Sequence, residues 1–167
     1  MSADVRNNWY TRGYFEYHEK ENISIHGGGV SIMSLFTWNE KYSVHVENMD
    51  NQHKKLFELI NRLHEAMSTG KGNAELGEIL NGLNEYTATH FADEEKYMES
   101  FGYTGLAEQK KQHKIFIDKI NEYAKELSEK RLGLSIEVLN FLKDWLVNHI
   151  QNIDTKYTEN FHAHGLE

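Results

Sequence analysis

The chain has 167 residues, enough for one domain or one domain with a tail, and 26 acidic against 18 basic side chains leave a net charge of −8. A surface that acidic repels phosphate backbones and argues against nucleic-acid binding as the main role. The lack of cysteine excludes disulfides, zinc–thiolate sites, iron–sulfur clusters and thiol nucleophiles, while the lack of proline suits long uninterrupted helices.

Residues 1–32 are expected to form a poorly ordered, flexible N-terminal extension, because they are rich in Asn, Tyr, Gly and charge, and lack helical periodicity. They end near Gly27-Gly28-Gly29, which is no phosphate loop: no strand precedes it and no Lys-Ser/Thr follows. The segment has no apolar stretch of signal-peptide length, and no run of about 18 apolar residues occurs anywhere. The expectation is therefore a cytoplasmic protein that engages neither membrane nor nucleic acid. Met33, just before Leu35-Phe36-Thr37-Trp38, is a candidate natural start, and the domain proper is taken as residues 33–167.

Four amphipathic blocks follow. The first is expected over residues 50–68, with Asp50 as N-cap, His53, Phe57, Ile60, Leu63 and Met67 on one face, and Gly70 and Gly72 at its end. The second spans residues 73–100 through Leu76, Leu80, Leu83, His90, Glu94 and Tyr97, and Gly102 stops it. The third spans residues 104–130 through Gln109, His113, Phe116, Ile120 and Tyr123, and Gly133 ends it. The fourth spans residues 135–161 through Leu139, Leu142, Leu146, His149, Asp154 and Tyr157. Strand signals are negligible. Such blocks joined by short Gly-containing turns predict an all-α fold, an up-down-up-down antiparallel four-helix bundle.

A soluble bundle keeps its inner faces apolar, yet each block here places ligand-type residues on that face: His53; His90 with Glu94; His113; His149 with Asp154. Singly, each has a plain explanation. A core histidine is usually a hydrogen-bonded packing residue, and an i,i+4 His/Glu pair is usually a surface pair. Together they would bury several ionisable groups at several kcal/mol for each unpaired charge. A metal offsets that cost, and imidazole with carboxylate is the donor set of a borderline metal ion. Four imidazoles and two carboxylates exceed the needs of one four-coordinate zinc and suit a carboxylate-bridged metal pair. A ferritin-like site needs two Glu-x-x-His pairs, and the chain has none; its nearest approach is Asp50-x-x-His53. His149 and Asp154 stand about 140° apart on an ideal helix, so they meet one cluster only from different sides or across a locally widened turn.

Asp50-Asn51-Gln52-His53, His90-Phe91-Ala92-Asp93-Glu94-Glu95, His113-Lys114-Ile115-Phe116 and His149-Ile150-Gln151-Asn152-Ile153-Asp154 resemble the successive motifs of the bacterial hemerythrins. Trp38 and Gly102-Tyr103 fit the same pattern, and the resemblance runs from Trp38 to Tyr157. It implies a left-handed four-helix bundle with a non-haem di-iron centre, oxo- or hydroxo-bridged, that binds O2 for storage, transport or sensing rather than as an enzyme. By the same resemblance His53 and His90 would ligate the iron open to O2, and His113 and His149 the other. Glu94 and Asp154 would bridge the two. Leu56, Ile60, Phe91, Phe116 and Trp145 are candidates for the apolar wall that keeps water out.

One position departs from the family pattern. The third helix of the family carries His-x-x-x-His-x-x-Phe, and here the first of these is Gln109. Either its amide oxygen is a weak ligand or a water fills the place, and the second iron has two histidines instead of three. The alternative function is therefore a di-iron oxidase or peroxidase-like protein, or one reactive toward nitric oxide. Glu108 points about 100° away and is not a substitute. His18, His26, His45, His64, His162 and His164 are assigned surface or packing roles.

Overall fold

The structure, a computed structural model, describes residues 24–26, 29–31 and 34–167. The chain divides at Met33 and Ser34 into two units, each described by itself. In the first, Ser24–His26 (β1) and Gly29–Ser31 (β2) pair as antiparallel strands with Ile25 opposite Val30, so a strand does precede the glycines, against expectation, and only the missing Lys-Ser/Thr still argues against a phosphate loop. The flexibility expected of residues 1–32 otherwise lies outside the described residues, as does His18.

The second unit enters the bundle through Leu35, Phe36 and Trp38, which pack on its core. Asn61 clamps this segment: its Oδ1 accepts from the Phe36 N–H at 2.9 Å and its Nδ2 donates to the Phe36 carbonyl at 2.8 Å. The helices are α1 (Glu47–Ser68), α2 (Gly72–Ser100), α3 (Leu106–Ser128) and α4 (Leu134–Trp145). α1 packs on α2 and α4, and α3 packs on the same two, which closes the four-helix ring. Gly70 at φ +73° and Gly102 at φ +61° turn the chain after α1 and α2, where a Cβ would be strained. Among the described residues no helix is long and apolar enough to cross a membrane.

Within the second unit three local expectations are corrected. Asp50 is not the N-cap, because α1 already starts at Glu47. Its carboxylate instead ties down the preceding loop, accepting from the Val44 N–H at 2.8 Å and from the Ser43 hydroxyl. Gly133 does not end α3: Lys130, at φ 59°, takes the left-handed position after that helix, and Gly133 at φ +75° stands just before α4.

The third correction is to the fourth block, which is not one continuous helix. After Trp145 the backbone widens into a π-helical stretch, Leu146–Ile150. It then passes through a 3-10 turn, Asp154–Tyr157, into α5 (Thr158–Ala163). A widened turn changes the angle between residues five apart, and such turns favour functional positions.

Two apolar clusters fill the bundle. The larger runs through Leu56, Ile60, Leu83, Phe91, Phe116, Leu142 and Trp145, and the smaller joins Val46, Met49, Met98, Tyr157 and Phe161. Between them lies a polar layer. On α1 His53 falls between Met49 and Leu56; on α2 Glu94 falls between Phe91 and Met98; on the fourth block Asp154 falls between Ile150 and Tyr157. Such a layer is costly unless its atoms are paired.

Candidate metal centre

His53, His90, Glu94, Gln109, His113, His149 and Asp154 are all buried, none more than 3% exposed. They gather into two groups, His53, His90, Glu94 and Asp154 in one and Glu94, His113, His149 and Asp154 in the other. Within each group the donor atoms lie within 4.8 Å of one another. The two carboxylates belong to both groups. The π-helical stretch and the turn after it carry His149 and Asp154 to the same centre, with the imidazole Nε2 3.1 Å from Asp154 Oδ1.

Each carboxylate divides its oxygens between the groups. Glu94 Oε1 lies 3.5 Å from His90 Nε2, while its Oε2 lies 3.1 Å from His113 Nε2. Asp154 Oδ2 lies 3.5 Å from His53 Nε2, while its Oδ1 faces His149. The protein leaves the inner atoms unpaired: His53 Nε2, His113 Nε2, His149 Nε2, Glu94 Oε2 and Asp154 Oδ2 are buried without a hydrogen-bond partner. Buried polar atoms are otherwise almost always satisfied. Imidazole nitrogens and shared carboxylate oxygens that converge unpaired are the donor types that borderline metal ions select, and the residues fit a pair of such ions.

The outer faces of the ligands are held by groups that the motif pattern alone did not single out. His90 Nδ1 donates to Gln52 Oε1 at 2.8 Å, and the Gln52 amide in turn donates to Asp93 Oδ2 at 2.7 Å. His113 Nδ1 donates to Glu95 Oε1 at 2.8 Å. Both bonds turn Nε2 inward in its unprotonated form, as a ligand requires. The Tyr157 hydroxyl donates to Glu94 Oε1 at 2.7 Å. The available signal was adjacency: Gln52 precedes a candidate ligand, Glu95 follows one, and Tyr157 lies three residues past Asp154. His53 has no such support, since its Nδ1 is buried and unpaired as well.

Aromatic plates fix three of the four rings. Phe91 lies flat on His113 at 3.9 Å and 3°, Trp145 on His149 at 4.1 Å and 16°, and Tyr86 on His90 at 4.9 Å and 25°. Leu56, Ile60, Phe91, Phe116 and Trp145, expected as the apolar wall, are all buried. A groove between α1 and α2 is lined by Gln52, Lys55, Tyr86 and His90 among others, and so borders the first group at His90.

Burial sets the protonation states against the local charges. It pushes the His90 pKa down to about 3, against the pull of Glu94, so this imidazole is neutral at physiological pH. Burial and the neighbouring Asp154 both push Glu94 up, but the imidazoles of His90 and His113 hold it below the usual range. Burial likewise raises Asp154, yet His149 and His53 hold it well below. Burial lowers His113, and Glu94 and Glu95 more than reverse this. Burial and the two carboxylates raise both Tyr86 and Tyr157 well above the ordinary phenol value.

Gln109 reaches the centre, but through its nitrogen: Nε2 donates to Asp154 Oδ1 at 3.1 Å, and Oε1 is buried without a partner. Glu108 stays outside, exposed and bonded to Gln112 at 2.6 Å. The remaining described histidine side chains lie away from the centre. His162 Nε2 donates to the His45 carbonyl at 2.6 Å, His164 stacks on Phe101 at 4.4 Å, and His64 is half-buried.

Residues 44–159 match the family model described as the hemerythrin HHE cation binding domain. The chain is 34% identical over 132 residues to the bacteriohemerythrin of Stenotrophomonas maltophilia, covering 79% of this chain and 85% of that one. It is 33% identical to the myohemerythrin of Riftia pachyptila, covering 77% and 96%. The crystal structure of a wild-type hemerythrin superposes with a TM-score of 0.69 at 32% identity, covering 75% of this chain and 96% of that one.

Proposed function

The chain belongs to the hemerythrin family, and we propose that it binds O2 at two non-haem iron ions held by His53, His90, Glu94, His113, His149 and Asp154. The observation that carries this reading is the division of the carboxylates, one oxygen of each to either imidazole pair. In it His53 and His90 would hold one iron and His113 and His149 the other, with Glu94 and Asp154 offering one oxygen to each. Bound there, the iron pair supplies the two electrons that reversible O2 capture uses.

The protein supplies the rest. Gln52 and Glu95 keep two imidazoles in the ligating tautomer. Tyr157 steadies Glu94 from the outside. Phe91, Trp145 and Tyr86 prevent ring rotation, and with Leu56, Ile60 and Phe116 they keep bulk water from the buried charges. The groove between α1 and α2 reaches His90 on the first side of the centre. Membership of the hemerythrin family favours O2 binding, in storage, transport or sensing, over turnover. A second reading, an oxidase or peroxidase-like or nitric-oxide-reactive protein, rests on Gln109, which leaves the second pair one imidazole short of the family pattern.

Anaerobic purification with iron supplied tests the first reading. The expected result is about two irons per chain and, on mixing the reduced protein with O2, a stable oxygenated absorption spectrum. Iron near zero overturns it, and rapid conversion to the oxidised form with peroxide release selects the second reading.

A further inference from the structure

We propose that Gln109 is a positioning residue for Asp154 and not a metal ligand, so that the metal at His113 and His149 has its own position for a small exogenous ligand. This rests on the two-metal reading above.

The amide stands on the second side of the centre, where its Nε2 donates to the same Asp154 Oδ1 that faces His149. On the first side the Tyr157 hydroxyl donates to the Glu94 Oε1 that faces His90. Each half therefore has two imidazoles, one oxygen from each shared carboxylate, and one neutral donor that holds one of those oxygens from behind. Gln109 is the counterpart of Tyr157. With its N–H groups toward the carboxylate, the amide turns no lone pair to that side. Its Oε1 is a buried, unpartnered acceptor on the same planar group, suited to hold a solvent molecule that an incoming ligand displaces. Both halves thus present the same protein donors, and neither is closed to a small ligand by a third imidazole.

Azide titration of the oxidised, iron-loaded protein, followed optically and with iron counted in the same sample, tests this. Wild type and Gln109→Leu are expected to take up two azides per pair of irons, the second more weakly, and Gln109→His only one. Two irons with a single azide in wild type, and a second azide appearing only in Gln109→Leu, would show that the amide fills the position as a ligand and overturn the proposal. Two irons with one azide in all three variants overturns it as well. Fewer than two irons in wild type defeats the two-metal reading itself, and this proposal with it. Because the expected change in stoichiometry is confined to Gln109→His, it reports occupation of the position and not an effect of this side chain on folding.

Discussion

Stripping the metal from the folded protein should destabilise it by about 3 kcal/mol, and the geometry of the centre gives the reason. Without metal, an N–H on His113 Nε2 can donate to Glu94 Oε2 and one on His149 Nε2 to Asp154 Oδ1, since both pairs are already 3.1 Å apart. His53 has no such recourse. Its Nε2 is 3.5 Å from Asp154 Oδ2, too long for a good bond, and its Nδ1 has no partner. A buried polar atom left unsatisfied costs about 1–3 kcal/mol, so His53 and the oxygen opposite it account for about 3 kcal/mol. Mass action gives a similar figure, about 2.7 kcal/mol at a hundredfold excess of free metal over its dissociation constant. For a domain of this size each kcal/mol moves the melting midpoint by about 3–5 °C, giving a drop of about 10–15 °C on chelation. Scanning calorimetry of metal-loaded and chelator-dialysed protein measures it. The same reasoning makes His53→Leu more stable than wild type in the metal-free form, because it removes the orphaned ring. A midpoint that shifts by less than about 2 °C on chelation refutes the argument.

Removing the carboxylate behind His113, by Glu95→Ala, should weaken metal binding about 10–100-fold, with Glu95→Gln less damaging because its amide oxygen still accepts from Nδ1. Competitive metal titration reads this, and unchanged affinity would place the tautomer under other control. Gly133→Ala should cost about 1 kcal/mol by backbone strain alone, since φ is +75° and a Cβ meets nothing within 4 Å. Its melting midpoint should fall while iron content stays constant; a matching loss of iron contradicts this separation. Acidification has a sign set by His90. Its folded pKa of about 3 lies below the ordinary 6.5, so the unfolded chain takes the proton first. The metal-free protein should therefore lose stability as pH falls from about 6.5 toward 3, by up to about 1.4 kcal/mol per unit. His113, raised instead, contributes fully below about 6.5 and loses its contribution as pH rises through its folded value. Urea midpoints at a series of pH values measure the sum, and a flat profile between pH 6 and about 4 contradicts the burial of a neutral His90.

Much of this protein is legible without coordinates because helices impose one short period on the chain. Leu56, Ile60 and Leu63 recur every three or four residues, and all are buried. His53, His90, Glu94, His113, His149 and Asp154 keep that same inward register, which is why six polar residues could be assigned to one layer before any helix was placed. Spacing also flagged the one irregularity: an ideal helix cannot bring His149 and Asp154 together simply, and the backbone widens at Leu146–Ile150.

Other features depend on contacts between residues distant in the chain, which no local period records. Asp50 has the composition of a helix cap, but only the path of the preceding loop turns its carboxylate to Ser43 and Val44. Gln52 and Glu95 read as ordinary polar neighbours of ligands until their helices pack, when they meet His90 and His113 across 38 and 18 residues of chain. Which residues face inward follows from 3.6 residues per turn and is readable along the chain. Which oxygen faces which imidazole, and that Gln109 turns its nitrogen to Asp154, emerges when the helices pack, because hydrogen-bond direction is set by packed neighbours and not by position along a helix.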